Sequence, residues 1–165
     1  MARVLLTGMS GSGKSTLIGA LVERGHRAVD LDGPEWCEYR VLTDDEVPPG
    51  IEPGLDWVWR DAKVAALLQS MDHETLFVAG CAPNQGRFRG SFDHVVLLTA
   101  PVQVTLERLA TRTTNPFGKH PDERHKILAD KADIEPMLAA AADLIIDTSG
   151  PLEVTVQRVL GLVAT

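Results

Sequence analysis

A chain of 165 residues, 44% hydrophobic and 24% charged, has the make-up of one globular domain, which excludes a disordered tail, a disulfide-stapled miniprotein and a second full domain. Its net charge of −7 argues against a nucleic-acid polymer as partner, because phosphates need a basic face. The longest apolar runs, such as Val95 to Ala100, fall far short of the roughly 20 residues that cross a bilayer, so no membrane partner is expected. The N-terminus enters a strand-like run without a cleavable signal, and Cys37 and Cys81 are too few for a scaffold of disulfides; a cytoplasmic location is expected.

Hydrophobic period and punctuation divide the chain into alternating strands and helices, the pattern of an α/β protein with a parallel sheet covered on both faces. Val4 to Thr7 reads as a buried strand, followed by a Gly-rich turn and a helix from about Ser15 to Arg24 that Gly25 stops. A second strand, Arg27 to Asp32, precedes an acidic, Pro- and Gly-rich excursion over Thr43 to Gly54 and a helix expected from about Asp56 to Ser70. Thr75 to Gly80 and His94 to Ala100 are the third and fourth strands, and Pro101 suits the first turn of a helix running to about Thr111. The Arg112 to Arg124 stretch breaks the pattern. Helical residues resume near Pro121, with Pro136 expected to kink or divide them. Asp143 to Thr148 is the fifth strand, and Pro151 to about Val163 the closing helix. The chain is expected to be a single domain over 1–165, with an acceptor-side insertion over about 33–70 and a lid over about 112–124.

Gly8-Met9-Ser10-Gly11-Ser12-Gly13-Lys14-Ser15 meets the phosphate-binding P-loop pattern at every required position, between a predicted strand and a predicted helix. Glycines at 8, 11 and 13 let the backbone wrap a polyphosphate, so that amide N–H groups and the positive helix end face its oxygens. Lys14 supplies a point charge for the β- and γ-phosphates, and the Ser15 hydroxyl a ligand for Mg²⁺; Met9, Ser10, Ser12 and Thr16 complete the nucleotide contact. An acid near the metal is also needed. The third strand ends in Gly80, but Asp30 and Asp32 lie two apart after the second and share one side of an extended chain. One is expected to serve Mg²⁺ and the other a substrate hydroxyl. Asp147 copies the metal-acid pattern but is expected to be structural.

These residues resemble the small P-loop kinases related to shikimate, gluconate, adenylate and other nucleotide kinases, over nearly the whole chain. The chain is also similar to bacterial AAA-type ATP-binding and nucleotide-kinase-like proteins. The resemblance implies a three-layer P-loop NTPase fold, with a five-stranded parallel sheet in the order 2-3-1-4-5 and a small lid. It also implies that Asp30-Leu31-Asp32 is the Asp-x-Asp of the shikimate-kinase branch, with Asp30 serving the metal and Asp32 the acceptor, that Trp59-Arg60 is its aromatic-Arg pair with Arg60 reaching substrate, and that the loop from Thr148 to Leu152, with Pro151, meets the nucleotide base. Two departures bear on substrate. Ile134 stands where shikimate kinases carry a substrate-gripping Arg, and their three-glycine run is reduced to Gly80-Cys81-Ala82.

Phosphoryl transfer spreads negative charge over equatorial oxygens, so a closing basic loop favours it. Arg108 and Arg112 lie four apart on one helical face and are expected to contact nucleotide, Arg112 with a catalytic part and Lys119 with a weaker one. Asn84, Gln85 and Arg87 form a plausible acceptor-recognition loop. The histidines at 73, 94, 120 and 125 lack metal-ligand spacing. The function expected is transfer from ATP, with Mg²⁺, to a hydroxyl of a small metabolite or nucleoside or to a nucleotide phosphate, by a monomer or homodimer. The alternative is a regulatory nucleotide-binding module, for which Asp30 to Gly33 spells D-x-x-G without a guanine-reading Asn-Lys-x-Asp element.

Overall fold

The computed structural model describes residues 1–47, 49–50, 52–70, 73–113 and 116–164. Positions 48 and 51 of the expected insertion and 114–115 of the expected lid lie outside the described residues. Seven strands and five α-helices follow in order among the described residues: β1 (Arg3–Thr7), α1 (Lys14–Glu23), β2 (Arg27–Asp30), β3 (Cys37–Val41), β4 (Leu55–Trp59), α2 (Asp61–Gln69), β5 (Leu76–Ala79), β6 (His94–Thr99), α3 (Val102–Thr111), α4 (Pro121–Ala141), β7 (Leu144–Asp147) and α5 (Leu152–Val163).

Val4, Leu5 and Leu6 are apolar in succession, which suits a strand buried on both faces, and β1 accordingly lies at the centre of a parallel sheet ordered β2-β5-β1-β6-β7. Counting only this sheet's strands, the order is the expected 2-3-1-4-5. Alternation sends Val4 and Leu6 to one face, where Leu17 and Leu21 of α1 and Val156 and Val159 of α5 cover them. Leu5, Val78 and Val95 face the other way, onto Val64 and Leu68 of α2 with Trp59, Phe88 and Phe92. Each fully buried Leu, Val or Phe stabilises the fold by about 1.5–3 kcal/mol. The parallel register pairs both Leu6 and Asp30 with Ala79, so the carboxyl ends of β1, β2 and β5 open onto one edge. Ligands of open α/β sheets bind at such an edge.

Two expectations need correction. The helix expected from Asp56 begins only at Asp61, because Leu55–Trp59 pairs antiparallel with Cys37–Val41 as a separate hairpin. The alternation Leu-Asp-Trp-Val-Trp is a strand pattern, and cross-strand partners such as Tyr39 and Trp57 hold it there. Pro136 does not divide α4, which runs unbroken from Pro121 to Ala141; proline lacks only the N–H donor for the carbonyl one turn earlier, at Ala132.

The insertion is tied to the body by one polar cluster. Glu46, buried at the end of a 3₁₀ turn (Asp44–Glu46), accepts from the Thr43 backbone N–H at 2.9 Å, from Arg40 at 2.8 Å and from Arg87 at 2.7 Å. Asp61 accepts from the same two guanidiniums and from the Asn84 amide. The Thr43 N–H foremost, then Arg40, pulls the Glu46 carboxyl down to about 2 from an ordinary value of 4.5. A depressed carboxyl contributes stability that is fully present above its unfolded value and is lost as pH falls through its folded one. Acid unfolding followed by circular dichroism is therefore expected to show a loss of stability between about 4.5 and 2. Glu46→Gln is expected to lower Tm by several degrees at pH 7 and to flatten that acid limb.

Candidate active site

The segment from Gly8 to Ser15 turns sharply out of β1 into α1. Gly8, Gly11 and Gly13 have φ of 154°, 80° and 100°, and a Cβ on Gly8 would stand 2.4 Å from the Leu98 carbonyl oxygen. Only glycine fits there. Gly13 caps α1 without a side-chain hydrogen bond, and the first turn carries no acid, so its amides are left for an anion. The loop is held from behind: Arg108 donates to the Gly11 carbonyl at 3.1 Å and to Thr148 Oγ1 at 2.9 Å, and Thr148 Oγ1 donates to the Ser12 carbonyl at 2.6 Å. Arg108, expected to touch nucleotide, thus acts as a strut between the loop and the turn after β7. Nothing in the sequence marked Thr148 as its partner. Met9 closes the loop by accepting from Ser12 N–H at 3.1 Å, Ser10 is half-buried beside it, and Thr16 is exposed on the first turn of α1.

Lys14 is only 8% exposed, and its ammonium donates to the carbonyls of Gly8 and, at 3.3 Å, Met9. It also lies 3.7 Å from Asp32 Oδ2. Ser15 Oγ donates to Asp30 Oδ2 at 2.7 Å, and Asp30 Oδ1 accepts from the Asp32 N–H at 2.9 Å. The two acids thereby make different contacts: Asp30 faces the P-loop serine, and Asp32 faces Lys14 and accepts from the Cys81 N–H at 3.0 Å. Ser15 and Asp30, both hard oxygen donors beside a phosphate cradle, fit Mg²⁺. Among the described residues, no group of three His, Cys, Asp or Glu side chains offers another metal site. Asp147 accepts from Ser149, whose hydroxyl and N–H lower its pKa, so it caps its own turn as expected.

Burial, with Asp32 behind it, pushes the Cys37 thiol up to about 12, and burial also raises Cys81.

Gly80 fixes the floor of the site by its lack of a side chain. A Cβ there would stand 2.9 Å from Trp59 Cζ2 and 3.3 Å from Asp32 Oδ1. Gly80→Ala is expected to shift the buried Trp59 or the acid, costing about 1–3 kcal/mol by urea unfolding.

The residues of the expected acceptor loop bond within the protein itself. Asn84 is 1% exposed; its amide donates to the Trp59 carbonyl at 3.0 Å and accepts from the Trp59 N–H at 3.1 Å, pinning β4 to the turn after β5. Gln85 opens a 3₁₀ helix (Gln85–Ser91), accepting from the Ala82 N–H at 3.0 Å and donating to Thr7 Oγ1 at 3.2 Å. Both amides hold backbone, and Arg87 joins the Glu46 cluster. Arg60 sits at the head of α2 and pairs with Glu38 at 3.2 Å. In the expected lid segment, Arg112 donates to the Phe117 carbonyl, burial lowering its pKa, and Lys119 donates to the Ala110 carbonyl at 2.9 Å. Pro151 caps α5 beside Thr148.

A glycine cradle, a buried lysine and two separated acids at the carboxyl edge of a 2-3-1-4-5 sheet define a P-loop nucleotide-binding protein of the small-kinase fold. The chain belongs to the AAA domain family, whose model matches residues 4–129. A nucleotide-binding protein of Gluconacetobacter diazotrophicus is 31% identical over 150 residues; the match takes in 88% of this chain and 37% of that relative, so this chain spans little more than a third of its length. A shikimate kinase of Halorhodospira halophila is 25% identical over 162 residues, 90% of this chain and 85% of that enzyme. Among solved structures, the shikimate kinase from Acinetobacter baumannii in complex with shikimate matches with a TM-score of 0.63 at 20% identity, covering 99% of this chain and 93% of that one. A gluconokinase from Sinorhizobium meliloti matches with a TM-score of 0.55 at 21% identity, covering 97% and 90%. This is the fold of the small P-loop kinases.

Proposed function

We propose that the protein is a small-molecule kinase that transfers the terminal phosphoryl group of ATP to a hydroxyl of a small metabolite. The observation that carries this reading is the placing of Asp32 3.7 Å from the P-loop lysine, with its second oxygen held by the Cys81 N–H. A nucleotide phosphate needs no base to accept a phosphoryl group, whereas a hydroxyl has a proton to lose. A carboxylate beside the phosphate-binding lysine answers the second need.

The amides of residues 9 to 15 and the start of α1 hold the β- and γ-phosphates, and Lys14 moves from the loop carbonyls to their oxygens. Ser15 and Asp30 would hold Mg²⁺, which when bound would neutralise charge on the phosphates. Asp32 orients the acceptor hydroxyl and takes its proton as the acceptor oxygen bonds to the γ-phosphorus. The bond from that phosphorus to the bridging oxygen breaks and ADP leaves. Arg112 brings lid charge toward the transferred group, with Lys119 in a weaker part.

The test is Mg²⁺-dependent ADP release from ATP, with a panel of small alcohols and, in parallel, nucleoside monophosphates. Stimulation by a hydroxyl compound is the expected result. Stimulation by nucleoside monophosphates alone would overturn the hydroxyl reading, and tight ATP binding with no stimulation by any compound would favour a nucleotide-binding module.

A further inference from the structure

The hairpin β3–β4 has one apolar face. Cys37 and Trp59, Tyr39 and Trp57, and Val41 and Leu55 are directly paired across it and so share a side. The first pair is buried in the core, but Tyr39, Val41 and Leu55 are 70%, 66% and 69% exposed. The Tyr39 and Trp57 rings meet at 4.8 Å, and Trp57 Nε1 reaches the Asp32 carbonyl at 3.5 Å. An aromatic and aliphatic ledge therefore starts at the residue proposed to activate the acceptor and runs outward to solvent.

Charge on this side points away from an anionic ligand. From Asp32 to Asp93 the carboxylates outnumber the Lys and Arg residues, and every cation in that stretch already meets an acid. Arg40 and Arg87 share Glu46 and Asp61, Arg60 pairs with Glu38, Lys63 pairs with Glu35 and lies over the Trp36 ring, and Arg89 turns to Asp143. In the Glu46 cluster Arg40 and Arg87 both meet the buried Glu46 carboxylate and Asp61, so an anion there would compete with two acids. The Arg60–Glu38 pair is exposed and weak, but an anion drawn to Arg60 also meets the Glu38 carboxylate.

We infer that the Tyr39–Trp57 face beside Asp32 takes an uncharged or cationic alcohol with an apolar or aromatic body, and discriminates against carboxylates and phosphate esters. The inference rests on the kinase reading for its naming of the ligand as acceptor. Apolar area on the ligand gains by covering the exposed ledge, and aromatic faces attract cations and not anions.

Calorimetric titration of the full chain, with Mg²⁺ and a non-hydrolysable ATP analogue present, tests this with three probes on one skeleton: uncharged 3-phenylpropane-1,2-diol, cationic phenylalaninol and anionic 3-phenyllactate, with shikimate as a fourth. The first two are expected to bind at least tenfold more tightly than either anion. Trp57→Ala, and separately the wholly surface change Tyr39→Ser, are expected to weaken the diol at least threefold. Glu38→Gln, which leaves Arg60 without its carboxylate, is expected to strengthen 3-phenyllactate at least threefold. Equal or tighter binding of an anion, equal affinity for all probes, or no binding by any of them would overturn the inference. ADP release measured with the same compounds separates the two readings. Turnover with shikimate but not the alcohols sinks the inference and keeps the kinase, whereas selective binding of the alcohols without ADP formation keeps the surface and sinks the kinase.

Discussion

Lys14→Met is expected to lower Mg²⁺-dependent ATP turnover by about 10²–10³-fold, the loss that follows removal of one preorganised donor to developing transition-state charge. The protein is expected to stay folded. Among the described residues the ammonium bonds only to the loop carbonyls of Gly8 and Met9 and lies near Asp32, so none of the sheet's hydrogen bonds there depends on it. The unbranched thioether of Met follows the same path through a site that leaves Lys14 only 8% exposed. Behind it, the strut from Arg108 through Thr148 to Gly11 and Ser12 is untouched, so the loop keeps its course. Single-turnover ADP release, with urea unfolding on the same samples, checks both halves. Retained turnover would remove Lys14 from the mechanism, and a lowered unfolding midpoint of matching size would assign the loss to structure.

The sequence marks features that are local in the chain, and it is silent where distant segments meet. The P-loop is legible because strand, glycines, lysine and helix are contiguous, and each glycine answers a backbone need at its own position. The five core strands are legible as short apolar runs between turns. Their spatial order is not encoded in spacing and came from family resemblance. The hairpin was missed because Leu55 to Trp59 becomes a strand only through pairing with Cys37 to Val41, and strand preference depends on such partners. Its continuity with the Asp61 helix disguised the boundary.

Side-chain roles follow the same division. Asp30 and Asp32 are legible because two acids two residues apart share a side at a strand end; Asp30 meets Ser15 and Asp32 faces Lys14. The polar residues Asn84, Gln85 and Arg87 also looked like a recognition loop. Composition alone does not reveal that Asn84 is buried against the Trp59 backbone, or that Arg87 completes a cluster around Glu46 some forty residues earlier. A polar loop at a sheet edge serves equally to read a ligand or to satisfy buried backbone, and only the partner's position decides between them.

Asp32→Asn is expected to reduce phosphoryl transfer to a hydroxyl acceptor by about 10²–10⁴-fold, the range of a general base, while leaving ATP affinity within a few-fold of the parent. Asparagine keeps the shape and can still accept from the Cys81 N–H, so the turn after β2 is retained. What it loses is a charge beside Lys14 and an oxygen able to take a proton. Asp30→Asn is the control that gives the result its meaning. Asp30 bonds to Ser15 and to the Asp32 N–H, on the side that fits Mg²⁺, so its loss is expected to raise the Mg²⁺ concentration needed for half-maximal turnover. The pair of variants therefore separates in different variables: kcat with acceptor for Asp32, metal dependence for Asp30. Equal losses of transfer and ATP affinity in Asp32→Asn would move that residue to the metal. If instead Asp32→Asn leaves transfer intact while the Mg²⁺ requirement rises, the acid beside the P-loop lysine is not the proton acceptor, and the hydroxyl reading loses the observation that carries it.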